Sequence, residues 1–180
     1  ILQQFSGINI IFNYAEEVYR NAGYGVSDIL FNIVITGAIN LIFTLVAMGL
    51  VDRVGRRGLM IFGCFGIGLS HAAASYAYHI GAGGIGILTL TLSAIGCYAM
   101  SLAPVTWVLI SEIFPNRVRA SAVSASVAVL WIASFVLTYT FPFLNAALGM
   151  GGTFLIYGAI CLAGGVFVIL KVPETRGRSL

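Results

Sequence analysis

The stretch Ala103–Arg119 reads APVTWVLISEIFPNRVR. Pro104 stands inside an apolar segment, where a helix interior normally excludes proline because the ring removes a backbone donor and crowds the preceding turn. Trp107 follows three residues later. Ser111, Glu112, Ile113, Phe114 and Pro115 close the segment, and Arg117 and Arg119 come directly after. One element thus holds a broken helix at membrane depth, an aromatic suited to line a cavity, and a carboxylate beside cations at one face. Irregular backbone in lipid is tolerated only where it is buried in protein or lines a water-filled cavity. Two readings follow: a solute pathway, or a proline kink in a passive helix with an interfacial tryptophan.

Composition places that stretch in a bilayer. The 180 residues are 59% hydrophobic and only 8% charged, with a mean hydropathy of +1.01. A soluble domain carries about 25% charged residues. There is room for about six spans of roughly 20 residues joined by short loops. The net charge of +3 is small, and no basic run or aromatic–basic interleaving points to nucleic acid. Cys64, Cys97 and Cys161 are isolated in apolar segments, which suggests neither disulfides nor a metal site. His71 and His79 have no Cys or carboxylate at ligand spacing and read as packed or interfacial. No Ser-His-Asp order, H-E-x-x-H or phosphate-binding glycine loop appears, so an enzyme is not expected and no cofactor is implied. The chain starts inside an apolar motif, without an initiating Met, a signal peptide or a basic leader. It is expected to be a fragment or a half of something longer.

The first span is expected from Ile1 to about Tyr19. Wound at about 100° per residue, Ser6, Asn9, Asn13, Glu16 and Glu17 form one polar stripe bordered by Gln3, and Gln4 lies apart. Carboxamides in hydrocarbon are costly without partners. They serve either as hydrogen-bonding glue between helices or as a wall for a hydroxylated solute, since each offers donors and an acceptor. After an outer loop over 21–28, the second span covers about 30–51. Asn32, Thr36, Asn40 and Thr44 recur there every four residues, with Asn40 near the middle. Asp52–Gly58 reads as a tight charged loop. The third span covers about 59–78, with Gly66, Ser70 and Ala74 as a ridge for close helix approach. Gly83–Gly86 is an outer turn. The fourth span covers about 86–114. The fifth, about 120–144, places Trp131, Ser134 and Thr138 on one face, and the sixth covers about 152–170.

Orientation follows from the cations. Arg53, Arg56 and Arg57 follow span two, Arg117 and Arg119 follow span four, and Lys171, Arg176 and Arg178 follow span six. Only Arg20 lies at the other face. The positive-inside rule makes the crowded face cytoplasmic, with both termini of this segment there. Asp52, Glu112 and Glu174 share that face. They read either as parts of solvated charged loops or as ion pairs between helix ends that lock one side of a cavity shut. Glu112 is expected to pair with the arginines of the Asp52–Arg57 loop, Arg56 first among them.

These residues resemble the sugar porter family of the major facilitator superfamily. Gln3-Gln4-Phe5-Ser6-Gly7-Ile8-Asn9 is similar to the Q-Q-x-S-G-x-N of its seventh helix. Asp52–Arg57 matches the D/E-R-x-G-R-R between helices eight and nine. Pro104, Trp107 and Ser111–Pro115 match P-x-x-W-x-x-x-S-E-I-F-P, and Arg119 the arginine beyond it. Pro173–Gly177 resembles the closing P-E-T-K-G, with Arg176 in place of lysine. Four motifs in family order span nearly the whole chain. They imply an all-α membrane protein whose six helices form the C-terminal half-bundle of a twelve-helix fold, the N-terminal half lying outside this chain.

The resemblance further implies a monosaccharide substrate, pentose or hexose, held between two bundles that rock about a midplane site. By motif, Gln3, Gln4, Asn9, Asn40 and Trp107 would contact the sugar. Asp52, Arg53, Arg56, Arg57, Glu112 and Arg119 would form a cytoplasmic gate network. Asn13 and Tyr14 would occupy the outer gate, where the family usually carries two tyrosines; Asn13 departs from that pattern. Leu130 precedes Trp131, where xylose porters often carry glutamine. The partners implied are the lipid bilayer, the N-terminal half and protons, in a bacterial inner membrane. Proton symport leads, although the family's coupling aspartate belongs to a first helix that is not in this sequence. An uncoupled facilitator, a non-transporting sugar receptor and an inactive fragment are the alternatives.

Overall fold

Glycine and proline divide this apolar chain into helices of very unequal length. The computed structural model describes residues 1–82 and 84–172; the closing motif Pro173–Gly177, Gly83 and the side chain of Asp52 lie outside the described residues. The described chain forms eight helical segments: α1 (Leu2–Phe5), α2 (Ile8–Asn13), α3 (Ala15–Asn21), α4 (Val26–Val54), α5 (Arg56–His79), α6 (Ile85–Met100), α7 (Leu102–Glu112) and α8 (Arg119–Lys171).

Among the described residues, four stretches are long and apolar enough to cross a bilayer: Val26–Val51, Arg56–His79, Ile85–Glu112 and Arg119–Lys171. The opening segment does not qualify, because its three helices are 4, 6 and 7 residues long. The breaks have local causes. Gly7 adopts φ 79°, and Tyr14 leaves the helical region at φ −119°, ψ 30°. Gly55, at φ 91°, ψ 156°, is the entire joint between α4 and α5. The charged loop expected over Asp52–Gly58 is therefore mostly helix, with a single hinge residue.

α8 holds 53 residues. At about 1.5 Å per residue a straight helix of that length would span roughly 80 Å, more than twice a hydrocarbon core of about 30 Å. It is not straight: Gly149 sits at φ 69°, ψ 176°, outside helical geometry, a conformation that residues with a Cβ disfavour. The neighbours of its two arms show the reversal. Before Gly149, Leu130 shares a cavity with Gln3, Thr138 bonds Asn13 and Tyr14, and Asn145 bonds Glu17. After it, Tyr157 packs on Gly7, Cys161 approaches Ser6, and Gly164 packs on Leu2. One arm runs parallel to the first segment and the other antiparallel. Pro142 sits within the first arm and leaves it helical.

α5 lies in the middle of the bundle, between α6 and α8. Ser70 shares a hydroxyl–hydroxyl hydrogen bond of 3.2 Å with Ser93, and Gly66 faces Cys97, so the small-residue ridge packs on α6. Gly68 faces Gly158 of α8. Ile67, Ile95, Leu102, Leu137, Phe141, Phe154, Tyr157 and Cys161 fill the core. α4 is the most peripheral helix, with Leu30, Phe31, Val34, Leu41, Leu45 and Met48 all exposed. The charges sort to the two ends: Arg56, Glu112 and Lys171 at one, Glu16, Glu17 and Arg20 at the other.

Candidate functional site

The break at Gly7 decides where the carboxamides go. In an unbroken helix, positions 4 and 9 would lie roughly 140° apart around the axis. Here Asn9 Nδ2 donates to Gln4 Oε1. Gln4 thus joins the polar group from which simple winding had set it apart. Gln3 Nε2 donates to the Tyr98 hydroxyl across 3.3 Å, while the buried Gln3 Oε1 has no hydrogen-bond partner among the described residues. Ser6 behaves differently from the expected stripe. It is fully buried, and its hydroxyl donates to the Gln3 carbonyl across 2.6 Å. It shapes the backbone at the break and presents no hydroxyl to a cavity.

A second break lies in the fourth membrane segment. α6 stops at Ser101 (φ −132°, ψ −87°), and α7 restarts at Leu102. Pro104 therefore occupies the first turn of a helix, where its missing N–H costs no hydrogen bond. Trp107 on α7 keeps 47% of its surface exposed. Next to this break a cavity of about 420 Å³ is lined by residues that include Gln3, Thr106, Ser126 and Leu130. Trp107 is not among its lining residues. Asn40 is half-buried on α4, its carbonyl accepting from Thr44 Oγ1 at 2.7 Å. Farther along that stripe, Asn32 and Thr36 are buried, and Thr36 bonds the Tyr19 hydroxyl at 2.6 Å. The outer part of the α4 stripe thus packs α4 on α3. Gln3, Gln4 and Asn9 come together as one group, whereas Asn40 and Trp107 stand on separate helices around it.

At the Arg20 end, Asn13 and Tyr14 meet the same residue of α8. Asn13 Nδ2 reaches Thr138 Oγ1 at 3.5 Å, and the Tyr14 hydroxyl donates to the Thr138 carbonyl at 3.2 Å. The Tyr14 ring lies 4.6 Å from that of Phe141. Asn145 Nδ2 donates to Glu17 Oε1 at 2.6 Å. These bonds join α3 and its hinge to the first arm of α8.

At the opposite end, Arg56 grips Glu112 with a two-pronged contact: Nη2 to Oε1 at 2.8 Å and Nε to Oε2 at 3.2 Å. Paired N–H donors match a carboxylate in both geometry and charge. The Arg56 side chain is only 14% exposed and that of Glu112 33%, so water screens the pair less than it would a surface bridge. Arg57 donates to the Ile169 carbonyl at 2.6 Å, tying α5 to the last turns of α8. Arg53 is exposed in the last turn of α4. Arg119 donates to the Phe114 carbonyl at 3.2 Å and so braces its own loop. Asp52 contributes a side chain outside the described residues.

Tyr98, Thr138 and Asn145 are absent from the sequence-derived group, yet each bonds a member of it or the neighbouring Glu17. Thr138 and its α8 face were legible from helical spacing. Tyr98 carries no local signal, being one aromatic within an apolar run.

Comparison with known proteins adds a family. The model of the family described as "Sugar (and other) transporter" matches residues 1–180. The D-xylose-proton symporter of Escherichia coli K12 is 38% identical over 186 residues, covering 100% of this chain and 38% of that protein. The glucose facilitated diffusion protein of Zymomonas mobilis is 35% identical over 184 residues, covering 99% of this chain and 39% of that protein. A solved structure of the major facilitator superfamily proton:xylose symporter XylE, bound to 6-bromo-6-deoxy-D-glucose, superposes with a TM-score of 0.90 at 38% identity, covering 99% of this chain and 39% of that one. An inward-open structure of the xylose transporter from E. coli superposes at 0.87, with 36% identity over 99% of this chain and 37% of that one. The chain thus spans about two fifths of the length of the relatives it matches. Those relatives are membrane transporters rather than enzymes. A match over every residue, a shared bundle and the motifs on both sides of its breaks lead to one conclusion: the chain belongs to the sugar transporter family of the major facilitator superfamily.

Proposed function

We propose that the complete protein carries a monosaccharide, pentose or hexose, across a bacterial inner membrane by alternating access. This chain supplies one six-span bundle, counting the broken segment 2–21, α4, α5, the α6–α7 pair and the two arms of α8. The observation that carries this reading is the group at the Gly7 break. Gln4 and Asn9 are paired there, and the buried Gln3 Oε1 has no partner among the described residues. A buried acceptor with no protein partner calls for an explanation, and a sugar hydroxyl is a donor that would satisfy it. Gln3, Gln4, Asn9, Asn40 and Trp107 form the sugar side of the site in this reading. An indole face suits the C–H surface of a pyranose ring.

The opposing wall is the N-terminal half. Trp131, Phe135, Tyr139 and Phe143 recur every four residues on α8, and each is more than 60% exposed. The rings of Phe135, Tyr139 and Phe143 follow one another at 5.8 and 5.5 Å. In a bilayer such a stripe faces either lipid or the other half of the protein, and in this reading it faces the other half. The cations at the Arg56 end favour the cytoplasm for that end. Proton symport is the leading form of coupling, by similarity to the xylose symporter. The similarity to a facilitated-diffusion protein favours an uncoupled carrier as the second form.

The test is uptake of labelled D-xylose and D-glucose by the complete protein in liposomes, with and without an imposed proton gradient. Saturable uptake accelerated by acid outside supports symport. Saturable uptake indifferent to the gradient supports the facilitator. No saturable uptake of either sugar removes the proposal. In the active protein, Gln4→Ala is expected to weaken binding by about 1–2 kcal/mol, the worth of one buried hydrogen-bonding group. Ser6→Ala is expected to change it little, since that hydroxyl already serves the Gln3 carbonyl.

A further inference from the structure

Breaking a membrane helix releases backbone groups that must find other partners. At the first break one released group is the Ser6 carbonyl. In a continuous helix it would accept from the Ile10 amide; here the Ile10 N–H turns to the Gly7 carbonyl at 3.1 Å. Ser6 has no solvent exposure, so water does not reach its oxygen. Two side chains from other elements supply the donors. His71 of α5 points Nε2 at the Ser6 carbonyl from 2.9 Å, and the Cys161 thiol of α8 approaches the same oxygen at 3.7 Å. A thiol is a weak donor, so the imidazole carries the contact. His71 itself is 1% exposed, and its ring is held 5.1 Å from that of Phe154. On the next residue, Tyr157 fills the space a Cβ on Gly7 would need, at 2.7 Å. The break is therefore clamped from α5 and from the second arm of α8.

We propose that His71 is a positioning residue for the sugar site. Its Nε2–H holds the Ser6 carbonyl out of the helical ladder, and this keeps Gln4 against Asn9. If that donor is lost, the Ile10 N–H becomes the nearest replacement. Taking it re-forms the turn and swings Gln4 away from Asn9. The inference rests on the sugar-binding reading above, and one of its two readouts is independent of any sugar.

The experiment compares the complete protein with His71→Leu, which keeps the bulk and removes the donor, and with His71→Gln, whose amide donates from a similar reach. The first readout is hydrogen exchange of segment 1–12. It is expected to differ from the parent in His71→Leu and to return toward the parent in His71→Gln. The second is the Kd for D-xylose and D-glucose, expected to rise at least tenfold in His71→Leu and less than threefold in His71→Gln. In a Gln4→Ala background, His71→Leu should add little, because both changes remove the same Gln4 geometry. Full additivity would mean that His71 acts on stability alone, and would overturn the proposal. So would unchanged exchange in His71→Leu, or changed exchange with unchanged Kd in a sugar-binding parent. If the parent binds neither sugar while exchange still follows the Leu/Gln pattern, the clamp stands and the sugar reading falls. Should His71→Leu fail to insert, His71→Met, unbranched and without a donor, tests the same carbonyl, and exchange identical to the parent in that variant would overturn the clamp.

Discussion

The two ends of this bundle are held by different chemistry. At the Arg56 end a guanidinium and a carboxylate from different helices meet in a two-pronged, half-sheltered pair. At the Arg20 end the bonds that tie α3 and its hinge to α8 come from neutral donors: the carboxamides of Asn13 and Asn145 and the hydroxyl of Tyr14. The ion pair of that end, Arg20 with Glu16, lies within α3 and joins nothing across the bundle. A charged pair is strong when closed and leaves two poorly solvated charges when opened. A bond with a charge on one side only, as between Asn145 and Glu17, or on neither, is weaker and easier to exchange for water. If the protein alternates between states open at one end and then the other, the Arg56 end supplies the firmer lock. The Arg20 end supplies the softer one, on a segment already hinged at Tyr14.

The largest expected effect comes from the firm end. Hydrogen bonds to charged groups contribute about 1.5–3 kcal/mol. Glu112→Gln or Arg56→Ala in the complete protein should therefore shift a two-state equilibrium by about tenfold or more. Thiol-reagent labelling of a cysteine placed in the cavity near the Arg56 end should rise in each variant, and the double variant should add little. Additive effects would show that the two side chains act separately, and unchanged labelling would reduce them to topology signals.

That pair also shows what the sequence could tell. Both partners sit at motif positions, and both lie at span ends that the charge pattern puts on the same face. Their meeting was therefore legible. So was the fourth-span break, because proline announces it locally; the structure adds that Pro104 follows the break by three residues. The first break was misread. A polar stripe drawn from Gln3 to Glu17 assumes one continuous helix, and Gly7 and Tyr14 reset the winding twice. Ser6 consequently turned inward and Gln4 joined Asn9. The Gln3–Tyr98 contact joins residues 95 apart in sequence, and no local pattern specifies such a pairing. The charged loop failed for a simpler reason: one glycine with positive φ made the turn, and its neighbours stayed helical.

An intermediate effect is expected from the soft end. Asn145→Ala removes the donor to Glu17 and frees α3 from α8 at its outermost contact. The loss should be about 1 kcal/mol, since Glu17 can recover water there. Labelling should rise for a cysteine placed beneath Tyr14, and labelling at the Arg56 end should fall or stay level. A rise at both ends would mean that the bundle had loosened as a whole, and the contrast between the ends would then be lost.

The smallest effect belongs to Arg20. It is the sole cation at its end among the described residues, and it contacts Glu16 one turn away, with both side chains about two-thirds exposed. Exposed pairs of this spacing contribute about 0.3–0.5 kcal/mol in isolated helices, often less in folded proteins. Arg20→Ala should therefore leave sugar affinity and labelling at both ends within error of the parent. Topology is where this residue still matters, as a lone positive charge opposing Arg53, Arg56, Arg57, Arg117, Arg119 and Lys171 among the described residues. The positive-inside rule counts the bias between faces, so removing Arg20 strengthens the existing orientation. A marked change in labelling at the Arg20 end would show that the soft end also depends on charge, and would erase the distinction drawn between the two locks.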